Sequence, residues 1–220
     1  MERDLVANLA NMNTAVIADD EYSASTFLCN FANVDTLKKV ILVIYSEIKC
    51  RKVEKILKTK IGCSELKSIT EKIPVIKIGK VDKIGFGELL AYIEDNINIV
   101  DICKDLGSVL RKFEEGKIAV FLGFGLLTYM YSPSEIIQAM EELLAQTPNM
   151  TKIFILTRLR KECHSIVTAM FDVIIRIKKS IEYDIMAHSR VYDVYIEHSI
   201  VKDLPPMSLY RIDGDRLISI

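Results

Sequence analysis

The densest group of chemically capable side chains lies between Ala18 and Thr26, in the run ADDEYSAST. Three consecutive carboxylates, Asp19, Asp20 and Glu21, precede the hydroxyls of Ser23, Ser25 and Thr26. A phosphate-binding turn of the form GxxxxGK[ST] ends in glycine, lysine and a hydroxyl. The glycine lets backbone N–H groups close around the phosphates, and the lysine neutralises them. Here Ser25 and Thr26 stand at the hydroxyl end, but Ala24 takes the lysine's place and Ser23 a glycine's. The acids have the wrong sign for a triphosphate and the right one for a helix N-terminus, where unpaired N–H groups favour negative charge. The expectation is a turn that caps itself. A cation site is the rival reading, without ligand spacing to support it.

Other groups point to chemistry less strongly. Gly123-Phe124-Gly125 follows an apolar run, as in a dinucleotide fingerprint. Thr128 holds the third glycine position, however, and no acid stands at the needed distance, so close backbone packing is the better reading. Cys163 and His164 are adjacent, and neighbours on a helix point in different directions, so they form no ready dyad. His188 and His198 lack a third ligand in local spacing. Cys29, Cys50, Cys63, Cys103 and Cys163 contain no CxxC pair, which leaves reduced thiols and no metal site. A basic group is more suggestive: Arg158, Arg160 and Lys161 follow one apolar run, and Arg176, Lys178 and Lys179 alternate with Ile175 and Ile177 in the next. Such a face suits nucleic acid or another anionic partner. It equally suits a sheet edge guarded by charge against further pairing, and Glu162, Glu182 and Asp184 dilute it.

These residues must be positioned by alternating strands and helices. Thr14–Ala18, Lys39–Tyr45, Pro74–Ile78, Ile118–Leu122 and Lys152–Thr157 are short apolar runs of the kind buried on both faces of a parallel sheet. Between them lie helical patterns at Ser23–Ala32, Cys50–Lys60, a long stretch from about Phe86 to Glu115 broken near Asn96–Asn98, and Glu162–Met170. Another helix starts at Ser132-Pro133-Ser134-Glu135, where a capping serine, a first-turn proline and a glutamate three residues on form a capping box, and it stops at Pro148. From Asp172 the pattern turns to strands, with Asp213-Gly214 as a hairpin signal. The expected fold class is α/β: one domain over residues 1–220, with a mostly parallel sheet flanked by helices and antiparallel C-terminal strands.

Composition bounds the partners. A formal net charge of −1 gives no support to a general affinity for nucleic acid or anionic membrane. The start MERDLVANL has no apolar stretch behind a basic region, and no run approaches the ~20 apolar residues of a membrane span. A cytoplasmic protein without membrane contact is expected. Abundant lysine and glutamate fit a thermophilic source.

The segments TAVIADDEYSASTFLCNF, KIAVFLGFGLLTYMYSPSEIIQAMEELL and TKIFILTRLRKE followed by MFDVIIRIKK resemble the RecA-like superfamily of P-loop proteins. The resemblance is to its KaiC-like and RadA-like branch, common in archaea, and is closest to an uncharacterised archaeal family without intact Walker motifs. It implies a RecA-like P-loop NTPase fold, with the first segment at the Walker A position, the second at Walker B, and Asp172 matching an aspartate of the sensor region. It also implies oligomers, homomeric or heteromeric. The Walker B strand would carry a magnesium-binding carboxylate, yet Leu122-Gly123 ends it; Glu47 is the one counterpart of a catalytic glutamate. Phosphoryl transfer depends on positioning and charge neutralisation, so these losses imply no ATP hydrolysis and no cofactor. The expected function is a non-catalytic binding or regulatory module. The alternatives are a nucleic-acid-binding accessory protein using Arg158, Arg160, Lys161, Arg176, Lys178 and Lys179, or residual nucleotide binding through Ser25, Thr26 and Thr157.

Overall fold

The computed structural model describes residues 9–31, 34–60, 71–95, 98–113, 116–157, 159–180, 191–202, 209–213 and 216–219. Its strands are β1 (Asn13–Ala18), β2 (Val40–Tyr45), β3 (Pro74–Gly79), β4 (Glu88–Glu94), β5 (Ile118–Leu122), β6 (Thr151–Thr157), β7 (Val173–Lys179), β8 (Val191–Ser199), β9 (Leu209–Asp213) and β10 (Arg216–Ser219). The helices are α1 (Glu21–Phe31), α2 (Val34–Leu37), α3 (Glu47–Lys60), α4 (Ile99–Leu110), α5 (Leu127–Met130), α6 (Pro133–Gln146) and α7 (His164–Met170). The strands form one sheet in the order β10-β9-β8-β7-β1-β6-β5-β2-β3-β4. Strands β7 to β4 in that order are parallel, and β8, β9 and β10 are added antiparallel.

Alternation of side chains along the buried strands creates two cores. Val40, Leu42 and Ile44 of β2 face one side, with Ala24 and Phe27 of α1 and Cys50 and Val53 of α3. Ile41, Val43 and Tyr45 face the other, with Ile102 and Leu106 of α4 and Ala139, Met140 and Leu143 of α6. Right-handed crossovers explain the partition. The chain leaves β1 and β2 towards the β4 edge, which puts α1 and α3 on the first face. It returns through β5, β6 and β7 in the opposite direction, which puts α4, α6 and α7 on the second. On that second face Phe121 and Phe154 stack with ring centroids 4.0 Å apart, and Phe124 and Phe171 meet Phe154 edge-on.

The expected strands and the Ser132 capping box all occur. Residues 86–115 differ from expectation. Their first part is the strand β4, and a helix begins only at Ile99, capped by Asn98. GELLAYIE has helix-forming residues, but β3 offers an unpaired edge, and pairing there outweighs propensity. Gly87, at φ +66°, makes the entry: a Cβ on it would lie 2.6 Å from the carbonyl oxygen of Ile73. The crossover from β3 to β4 spans only residues 80–87 and contains no helix. A second correction concerns the basic run. Strand β7 pairs with both β1 and β8, so Arg176, Lys178 and Lys179 belong to an interior strand, and the sheet edges are β4 and β10. Among the described residues, no helix is long and apolar enough to cross a membrane.

Candidate functional site

Adjacent strands whose following helices leave to opposite faces open a crevice at their carboxyl ends, which is where ligands bind in open α/β sheets. This sheet has two such places, β1 beside β6 and β5 beside β2. The run Asp19–Glu21 enters the first. Asp20 is the N-cap of α1: its Oδ1 accepts from the Ser23 backbone N–H at 2.8 Å, and its Oδ2 accepts from the Tyr192 hydroxyl at 2.8 Å. Asp19 turns outward, and its Oδ2 accepts from the Lys179 backbone N–H at 3.1 Å. Two of the three acids are therefore held by the antiparallel addition and the end of β7.

Glu21 is the one that reaches into the crevice. Its Oε1 accepts from the Thr157 hydroxyl at the end of β6, at 3.0 Å, and lies 3.9 Å from Lys52 Nζ. Its Oε2 takes the ammonium of Lys49, from the first turn of α3. Lys49 is only 7% exposed, whereas Lys52 and Glu21 retain contact with solvent. Burial alone would raise the Glu21 carboxyl. The hydrogen bond and charge of Lys49, with Thr157 and Lys52, outweigh it and hold the group below the usual glutamate range. Burial likewise opposes ionisation of Asp20, but the Ser23 N–H, the Tyr192 hydroxyl and Lys179 keep it below its ordinary value.

The second crevice is closed by close packing. Gly123, at φ +90°, ends β5, and a Cβ there would collide with the carbonyl oxygen of Tyr45. A Cβ on Gly125 would lie 2.6 Å from the carbonyl oxygen of Thr157. The Gly-Phe-Gly run is thus explained by two backbone approaches, one to each neighbouring strand end. Beside it, Ser46 caps α3 from the left-handed region at φ +81°, with its hydroxyl accepting from the Lys49 N–H at 3.3 Å. That bend directs Glu47 towards β3 and Lys49 towards Glu21. The Tyr45 hydroxyl donates to Asp95 at 3.1 Å, and burial followed by the Asp95 charge pushes its ionisation upward.

Glu47, the counterpart of a catalytic glutamate in the sequence reading, is fully engaged. Its Oε2 lies 2.7 Å from Nζ of Lys77, which is 1% exposed, and its Oε1 accepts from the N–H groups of Lys80 and Val81 at 3.1 Å each. Lys77 also donates to the Lys83 carbonyl at 2.7 Å. Asp172 sits at the other end of the strands, before β7, where its Oδ2 accepts from the Asn13 N–H at 2.8 Å.

The hydroxyls of Ser23 and Ser25 bond to backbone carbonyls at the head of α1. Ser25 is buried and donates to the Tyr22 carbonyl at 2.8 Å, and Thr26 is also buried. Of the three residues expected to retain a nucleotide, Thr157 joins the polar cluster through its bond to Glu21. Several of the basic residues have partners of their own. Arg160 pairs with Glu162 at 3.0 Å, Arg176 pairs with Glu197 at 2.7 Å, and Lys178 lies over the Tyr195 ring; Arg158 lies outside the described residues. Lys161 and Lys179 are exposed. Lys49, Lys52 and Tyr192 were missed in the sequence because nothing local marks them as partners of Glu21 and Asp20.

The described thiols and the apolar cavity beside Phe154 do not compete with this crevice. Cys50, Cys103 and Cys163 are free and buried, and burial pushes the Cys103 thiol up to about 12. Cys29 lacks a described side chain, and Cys63 and His188 lie outside the described residues. Among the described residues no group of three or more His, Cys, Asp and Glu side chains is arranged to hold a metal ion. An apolar cavity of about 40 Å³ lies between Cys103, Phe124, Met140, Phe154 and Phe171. That is far below the roughly 300 Å³ at which small-molecule sites begin.

No family model matches the sequence, and no curated protein matches it significantly. A solved structure of a Pyrococcus horikoshii OT3 protein, the target of a structural study, is similar with a TM-score of 0.66. The two share 14% identity over 94% of this chain and 97% of that one. At that identity the likeness shows the fold alone: a mostly parallel sheet flanked by helices, with antiparallel C-terminal strands.

Proposed function

We propose that the chain is a non-catalytic binding or regulatory module derived from a RecA-like nucleotide-binding fold and unable to hydrolyse ATP. The single observation that carries this is the position of Glu21. Its carboxylate takes up Lys49 and Thr157 at the switch-point crevice, where a ligand phosphate would need those same donors. A nucleotide entering there meets a fixed anion of its own sign, and the turn has no lysine of its own with which to compete. The sequence resemblance to the KaiC-like and RadA-like branch supports the ancestry, and the missing Walker B carboxylate supports the lost hydrolysis. The nucleic-acid alternative has weaker support, because Arg160 and Arg176 are already paired with carboxylates.

Thermal unfolding with millimolar MgATP or MgGTP tests the proposal. A site with a micromolar dissociation constant would raise the melting temperature by about 5 °C or more. No rise is expected. A saturable rise with either nucleotide would overturn the reading.

A further inference from the structure

We infer that Lys49, Lys52 and Thr157 form an oxyanion site whose resident ligand is the protein's own Glu21 carboxylate, exchangeable for a tetrahedral anion such as phosphate or sulfate once that carboxylate is removed. This goes beyond the loss of nucleotide binding, which would hold equally if the crevice were merely filled.

The geometry points to exchange rather than filling. The three donors come from two separate elements, α3 and the end of β6, and converge on a carboxylate supplied by a third, α1. Each uses a side-chain atom, so none depends on Glu21 for its backbone conformation. Lys49 is nine-tenths buried and bonds the carboxylate through Nζ, so loss of Glu21 leaves a cation that cannot easily regain its hydration. Lys52 and Glu21 are partly exposed, so a small ion has a path from solvent. A tetrahedral oxyanion offers Lys49 and Thr157 acceptors like those of the carboxylate, and charge-assisted bonds of this kind are the strong ones.

The test uses the full chain with Glu21→Ala. Its melting temperature should fall by about 5 °C or more, as expected when a buried cation loses its partner. About 10 mM inorganic phosphate or sulfate should restore at least half of that loss relative to sodium chloride of equal ionic strength, following the linkage of binding to stability. The wild type should move by less than about 1 °C under the same exchange. Glu21→Gln, which keeps shape and removes charge, carries the same test if the alanine variant is poorly folded. Adding Lys49→Met should abolish the rescue. Equal responses to phosphate and chloride, rescue that survives Lys49→Met, or variants that fail to fold even in phosphate would each overturn the inference. None of these results depends on whether the wild type binds ATP, so failure here and failure of the proposed function read out separately.

Discussion

Two glutamates stand in the same place on successive βα units and do different work. Glu21 opens α1 after β1, and Glu47 opens α3 after β2; each reaches a lysine that is at least nine-tenths buried. Glu47 shares its oxygens between Lys77 and two backbone N–H groups, and Lys77 spends a second bond on a backbone carbonyl. That pair ties the helix-free crossover after β3 to the head of α3. Glu21 binds side chains only. The difference teaches that a charge pair becomes a staple when its partners are backbone, and a replaceable contact when they are side chains.

The largest effect should follow from breaking the staple. Glu47→Ala strands the buried Lys77 and frees two N–H groups at once, and should cost about 3–5 kcal/mol in a urea unfolding titration. No added anion should restore it. A rescue by phosphate comparable to that of a Glu21 variant would erase the distinction between the two glutamates.

A smaller effect separates them by pH. The folded-state pKa of Glu21 is depressed, so its contribution is present above the unfolded value of about 4.3 and is lost as pH falls through the folded value. The Glu47 carboxyl is held down too, burial opposing while Lys77 and the Val81 and Lys80 N–H groups prevail. Each therefore adds acid sensitivity below about pH 4.3. Glu21→Gln should flatten part of the stability profile below that pH and leave the remainder to Glu47. An unchanged acid limb in melting experiments would mean that Glu21 contributes nothing there.

The smallest effect belongs to the exposed pair. Arg160→Ala removes a surface contact to Glu162 and should leave the urea midpoint almost unchanged. A fall in the midpoint as large as that of a Glu21 variant would show that surface ion pairs here rival the buried ones.

Much of the fold was legible in the sequence because it is written in local periods. Continuous apolar runs became the parallel strands, and Ser132 and Glu135 formed the capping box that their spacing implied. Strand β4 was not legible, since Leu89, Leu90 and Tyr92 suit a helix as well as an edge strand and only the proximity of β3 decides. In the site, Asp20 was readable as a cap from its position before α1. The role of Glu21 was not, because its partners stand 28 and 136 residues away and are brought together by the strand order. Ser25 looked like a phosphate ligand by spacing, yet its hydroxyl is satisfied one turn back in its own helix.

The remoteness of those partners also sets a timetable. Strand β1 comes early in the chain, but it finds its neighbours only when β6 and β7 exist, so Asn13 and Thr14 must wait for Lys152 and Val173. Asp20 waits longer still, 172 residues, for the hydroxyl of Tyr192. Until then Asp20 has only the local Ser23 N–H, and the head of α1 lacks its tie to the antiparallel strands. A chain ending before β8 would therefore leave Asp20 without its Tyr192 bond, which the complete chain closes. The cap at the head of α1 is thus completed only when nearly the whole chain is present.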